Sequence, residues 1–305
     1  SATTSYSYDS ANQVLSETQA TAGAPTAWTV SYTYNADGLR QSLSYPSGEL
    51  VETTYTARNQ IDAVSAGGPP PVADYAYQLD GTLASKTLET GAVATYGYDA
   101  ANQLLNVTHS QGTTMLQQRD YTYNSRSLRT AMQINGGTWD VYGYDLTDQV
   151  TSVKYSSATS TGTTPASTLT YTYDAVGNRT QVQRTATGAT TVSNAYGTAN
   201  SVNQYPSVNS GSVAYDGNGN LTSAPANFLG QSSAQSASYD ARNRLISITT
   251  SSGTVTQVYD TKNRVVRRTI NGITTYLVWD GWNLIEERDA VGAELLLRPP
   301  HGLDR

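Results

Sequence analysis

The chain has 305 residues and no cysteine, which excludes a disulfide framework and thiol chemistry. Its two histidines, His109 and His301, lie far apart, and no pair has metal-ligand spacing. Charged residues make up only 14% of the chain, and the net charge is −6. An acidic chain without a basic stripe is a poor nucleic-acid binder. No run of 18 apolar residues is present, so no helical segment of this sequence spans a membrane. There is no Gly-x-Ser-x-Gly elbow, phosphate loop or dinucleotide fingerprint, and no cofactor is expected. Phenylalanine occurs once and leucine and isoleucine are sparse, which argues against amphipathic helices.

What the chain has instead is 23 tyrosines, set in a short repeated phrase. Clear copies are YSYDSANQV (6–14), YTYNADGLR (32–40), YGYDAANQL (96–104), YTYNSRSLR (121–129), YGYDLTDQV (142–150) and YTYDAVGNR (171–179). Looser copies are YAYQLDGTL (75–83), VAYDGNGNL (213–221), ASYDARNRL (237–245), QVYDTKNRV (257–265) and LVWDGWNL (277–284), with TTYTARNQI (53–61) degenerate. The second aromatic of each copy marks the period: Tyr8, Tyr34, Tyr55, Tyr77, Tyr98, Tyr123, Tyr144, Tyr173, Tyr215, Tyr239, Tyr259 and Trp279. Most intervals are 20–29 residues; one of 42 is a double period with Tyr196 near its middle. That period suits one β-hairpin plus its connection.

In Tyr-x-Tyr both rings lie on one face of a strand, because strand side chains alternate. The Asp or Asn that follows can bond its own downstream backbone and start a turn. Gly or Asn three or four residues later tolerates the positive φ that closes it. Branched and Thr-rich runs such as LISITT (245–250) then read as return strands. The expectation is an all-β fold: tandem hairpins in a spiralling antiparallel sheet, a β-solenoid or partial shell. The whole chain, 1–305, reads as one repeat domain of about 12–13 repeats, with 296–305 as an irregular tail. The slot aromatics are expected to face inward and stack on their counterparts one repeat away, supplying the core that leucine normally supplies.

Other residues invite sharper readings. Asp9, Asp99, Asp145, Asp174, Asp216, Asp240, Asp260 and Asp280 share one repeat position, so turn initiation explains them better than acid–base catalysis. The run DGNGN (216–220) resembles the start of a calcium loop but lacks the closing Glu. Asn106, Asn178 and Asn220 head Asn-x-Thr triplets, in or near turns. Among Trp28, Trp139, Trp279 and Trp282, the last lies in a turn beside an aromatic slot already filled, and is the candidate for carbohydrate contact. The strip's end strands carry unpaired backbone groups, so they are expected to be covered either by the remainder of a longer precursor or by another copy held head to tail, as in an extracellular self-assembling filament.

The phrases NQYPSV (203–208), YDGNGNLTS (215–223), YDARNRLISI (239–248), YDTKNRVVRR (259–268) and YLVWDGWNLIEERDAVGAEL (276–295), in that order, resemble the C-terminal part of the core of YD-repeat, or RHS, proteins. The resemblance covers essentially the whole chain. It implies a β-strip that spirals into a hollow shell, enclosing a toxic C-terminal domain in large bacterial members and forming part of adhesion receptors in animal relatives. It further implies a secreted or cell-surface bacterial structural protein without catalysis, a fragment or mature product of a longer precursor. An adhesion or glycan-binding module is the alternative. The sequence departs from the family at LLRPPHGLDR (296–305), where an aromatic–His–Gly stretch, a self-cleaving plug and a toxin are usual; His301 marks that approach.

Overall fold

The computed structural model describes residues 2–226, 228 and 232–297. Among them are 28 β-strands and no α-helix. The chain divides into two compact units: Ser1–Asp74, Asp216–Thr222 and Ser233–Arg305 form the first, Tyr75–Tyr215 and Ser223–Ser232 the second.

The first unit holds two antiparallel meanders. One runs through Ala2–Tyr8, Val14–Thr21, Trp28–Tyr34, Arg40–Ser44, Leu50–Tyr55 and Ile61–Ala66, each strand paired with the next. The other runs through Gln235–Tyr239, Leu245–Thr250, Gly253–Tyr259, Val265–Ile270, Ile273–Asp280, Asn283–Arg288 and Glu294–Leu297. They bury Trp28, Val30, Tyr32, Leu43 and Tyr45 from the first, and Val266, Tyr276, Leu277, Val278 and Ile285 from the second. Trp28 and Tyr276 meet across them with ring centroids 5.2 Å apart. The tail expected over 296–305 does not include Leu296 and Leu297, which pair with Glu287 and Glu286. The rest of it, His301 included, lies outside the described residues.

The second unit is a single meander from Leu83–Leu88 through Ala92–Tyr98, Leu104–Gln111, Thr114–Tyr123, Arg129–Ile134, Trp139–Tyr144, Val150–Ser157, Ser167–Tyr173 and Arg179–Ala186 to Val192–Ala195. Ser207–Val208 and Gly211–Ser212 add a short hairpin. Its buried apolar side chains include Ala94, Ala131, Val153, Val208 and Val213, with Tyr196 and Phe228.

The repeated phrase produces the same local structure in both units. The ladder register slips at the slot aromatic, for example at Tyr34, Tyr123, Tyr173 and Tyr259. Such a bulge accompanies a turn closed by a left-handed residue. The residue between the two aromatics faces the other side and bonds across the hairpin: Thr33 to Ser42 at 2.7 Å, Thr122 to Thr130 at 2.9 Å, Thr172 to Thr180 at 2.8 Å. The sheet is therefore aromatic on one face and hydroxyl-rich on the other.

Candidate functional site

Three arrangements use the phrase's chemistry: the turns, the slot aromatics, and a buried ion-pair seam in the first unit.

In the turns, the side-chain oxygen of the Asp or Asn accepts the backbone N–H groups two and four residues on. Asp9, Asn35, Asp99, Asn124, Asp145, Asp174, Asp216, Asp240 and Asp260 all do so, at 2.8–3.1 Å. Asn200, in the decayed copy near Tyr196, and Asp289 form the same turn. The third residue after the head has positive φ and is mostly Asn or Gly, as at Asn12, Gly38, Asn102, Gly177 and Asn263. The fourth then reaches forward: Gln13 to Gly38 O, Asn178 to Asn203, Asn220 to Asn243, Arg244 to Asp260 O. Each of these four turns is thus tied to a later one.

At Asp145, Asp174, Asp216 and Asp240 these bonds favour the charged carboxylate. A side-chain bond from Arg244 lowers the pKa of Asp240 to about 2, and bonds from Asn178 and Asn220 lower those of Asp174 and Asp216. In the run DGNGN, Asp216 Oδ1 accepts from the N–H groups of Asn218 and Asn220, and Oδ2 accepts from the Asn220 side-chain amide, the work of a turn. Asp280 is the exception to the shared position. It pairs with Asn283 around Gly281–Trp282, a two-residue hairpin, and its carboxylate takes Arg40 instead.

The slot aromatics depart from the expected inward stack. Tyr8 is 52% exposed, whereas Tyr34, Tyr77, Tyr98, Tyr123, Tyr144, Tyr173, Tyr215, Tyr239, Tyr259 and Trp279 are half-buried. Their polar tips reach backward instead. The hydroxyls of Tyr34, Tyr55, Tyr123, Tyr144, Tyr173 and Tyr259 donate to the carbonyls of Val14, Arg40, Leu104, Arg129, Val150 and Leu245, and Trp279 Nε1 to Val265 O, at 2.6–2.9 Å. Each acceptor lies where the preceding return strand begins. A ring carrying a donor fits an edge where a bulge has freed a carbonyl, which explains Tyr rather than Phe.

The seam joins the two meanders of the first unit. Arg264, 2% exposed, places Nη2 on Glu17 at 2.5 Å and Nε on Asp260 at 2.7 Å. Both oxygens of Asp280 accept from Arg40 Nη1, at 2.8 and 2.6 Å. Glu286 accepts from the Ser47 N–H at 3.1 Å and from Arg288 Nε at 2.7 Å. The Gln19 amide bonds both the carbonyl and the N–H of Trp279. Burial and the Asp280 charge push the pKa of Tyr32 up. Every carboxylate of the seam is engaged, so none is left as a base beside open space. Among the described residues no group of three or more His, Asp or Glu is placed to hold a metal ion.

The remaining candidates are scattered. His109 is exposed in the strand Leu104–Gln111. Trp28 is buried in the core, and Trp282 is 69% exposed at its hairpin tip. Sequence reasoning missed Glu17, Gln19, Arg40 and Glu286, whose partners stand 239–260 residues away. It also missed Asn135 and Asn271 in the opposite turns, whose side chains accept the N–H of Gln118 and Thr254; their Asn-Gly signal was present.

Comparison with known proteins converges on one architecture. The RHS Repeat family profile matches residues 77–114 and 239–274. No curated protein matches the chain. Among solved structures, the TcdB2-TccC3 crystal structures align with 94% of this chain, with TM-scores of 0.59 at 14% identity for the complex and 0.61 at 13% identity for its TEV form. The Photorhabdus luminescens Tc holotoxin pore, with a TccC3 mutation, aligns with 93% of it at 13% identity and a TM-score of 0.57. The chain spans about a fifth of the length of these structures, 19–20%. At such identity the likeness establishes the fold, and the matched repeats establish its type. The chain carries RHS repeats over residues 77–114 and 239–274, within an all-β fold like that of these structures.

Proposed function

We propose that this chain is a wall segment of an RHS shell, a structural part of a longer bacterial toxin-type protein, secreted or displayed on the cell surface, with no catalysis of its own. One observation carries the reading: 94% of the chain aligns in fold with about a fifth of a much longer chain of the TcdB2-TccC3 structure. A continuous wall is what serial hairpins provide when the turn heads other than Asp280 are spent on their turns and every seam carboxylate is paired. The repeat keeps its phase from residue 6 to 284, which supports one repeat domain over 1–305. In this reading the slot aromatics, from Tyr8 to Trp279, are structural, and the partners are the remainder of the precursor and an enclosed toxin. Electron microscopy of the native full-length protein tests it. Hollow particles with continuous β-walls are expected; solid particles or fibres of this chain would overturn it in favour of head-to-tail assembly.

The alternative, a glycan-binding or adhesion module, rests on Trp282, whose exposed ring is suited to stacking on a sugar. Glycan-array binding lost in Trp282→Ala supports that reading; binding unchanged by the substitution removes it.

A further inference from the structure

Three copies of the phrase are close variants: YTYNADGLR (32–40), YTYNSRSLR (121–129) and YTYDAVGNR (171–179). Each ends in an arginine that opens the return strand and lies over an aromatic ring. Arg40 sits 5.6 Å from the centre of the Tyr32 ring. Arg129 sits 5.7 Å from Tyr121 and 4.8 Å from Tyr142, and Arg179 sits 5.8 Å from Tyr171 and 5.3 Å from Tyr196. A guanidinium stacked on rings keeps its donors outward and loses little freedom on pairing with a carboxylate.

Only the first has such a partner. Arg40 takes both oxygens of Asp280, presented by a β-hairpin that lies across the aromatic face of the first unit. Among the described residues neither Arg129 nor Arg179 is in an ion pair. Arg129 is exposed, and Tyr121, Tyr142 and Tyr171 around the two sites are half-buried. The second unit repeats this arrangement at Arg129, which is exposed, and at Arg179, which is half-buried beside the buried ring of Tyr196.

We propose that the aromatic face between Tyr121 and Tyr196 is a docking surface for an extended acidic polypeptide segment, whose carboxylates seat on Arg129 and Arg179 as Asp280 seats on Arg40. The strands that begin at these arginines are separated by three others, hence about 19 Å apart. An extended chain covers that distance in about six residues, so the segment carries acidic residues at roughly that spacing. The partner is polypeptide rather than nucleic acid because the occupied copy holds a β-hairpin and the chain's net charge of −6 repels a polyanion. The proposal does not depend on the shell reading.

The test uses the full chain and a fluorescein-labelled peptide of about twelve Ser, Thr and Tyr residues with two Asp about six apart. Fluorescence anisotropy at low salt should show saturable binding, weaker by about 10-fold for the Asn version. Arg129→Gln and Arg179→Gln should each weaken it by about 5–10-fold, while Arg126→Gln, at a turn tip, should leave it unchanged. Guanidinium Nε–H shifts of Arg129 and Arg179 on adding peptide give a readout on the unmutated chain. Equal binding of the Asp and Asn peptides, no saturable binding, an unaltered double variant, or tighter binding of an oligothymidylate by the same arginines would each overturn the proposal.

Discussion

The two units contain the same repeat and build different interiors from it. In the first, the aromatic face of the strands Val14–Ser44 lies under a second meander, and Trp28, Val30 and Tyr32 are buried with Glu17, Gln19 and Arg264. In the second, Tyr96, Tyr121, Tyr142 and Tyr171 occupy equivalent strands and are only half-buried. Ion pairs follow the same division. Arg264 is sealed between Glu17 and Asp260, whereas Arg126 pairs with Asp148 at an open turn tip, both side chains nearly half exposed. The phrase specifies a hairpin with one aromatic face; it does not specify what covers that face.

The sharpest way to break this comparison is to remove the two arginines in turn. Arg264→Met strands two buried carboxylates and should cost about 3–5 kcal/mol. Arg126→Met removes an exposed pair and should cost about 0–1 kcal/mol. Native-state hydrogen exchange, reading strands of each unit separately, checks both; an Arg264→Met loss as small as that of Arg126→Met would deny the seam its role. Next come the rings. Trp28→Ala should cost about 3–5 kcal/mol, as for other buried aromatics. Tyr144→Ala, in a half-buried slot, should cost about 2 kcal/mol, and Tyr144→Phe about 1 kcal/mol for the hydroxyl's bond to Arg129 O. Equal losses for Trp28→Ala and Tyr144→Ala, by urea unfolding, would mean the two faces are equally covered.

The backbone should show no difference between units. Gly48 in the first and Gly188 in the second have φ of +92° and +75°, with open space where a Cβ would stand. Alanine at either should cost about 1 kcal/mol through conformation alone; unequal melting shifts would point to an environmental effect. The smallest effect is electrostatic. The carboxyl of Asp240 has a folded pKa of about 2 against an ordinary 3.8. A depressed value means the stabilisation is complete above the ordinary range and is lost as pH falls from about 4 towards 2. Asp240→Asn should flatten that part of the acid-unfolding curve.

Much of the local structure was legible in the sequence. Asp or Asn after Tyr-x-Tyr, with Asn or Gly three residues on, specifies its turn from neighbours within four residues, and the structure shows that turn with one geometry throughout. The misreadings came where a second strand or a distant segment decided the outcome. Asp280 looked like its seven counterparts, but the two-residue loop Gly281–Trp282 freed its carboxylate for Arg40. The slot rings were expected to stack because area burial is their largest contribution in general. The bulge beside them instead exposes a carbonyl one hairpin back, and the hydroxyl satisfies it.

By itself, then, the sequence determined the hairpin, its turn, its one-residue slip and the two-faced character of the sheet, because each depends on φ preferences, side-chain alternation and hydrogen bonds spanning a few residues. Tertiary structure alone decided which copies become core and which stay open. Arg40 and Arg129 occupy the same position of the same phrase, and nothing within either repeat separates them. What separates them is a segment some 240 residues away that reaches one and not the other, and burial is set by the segment that arrives.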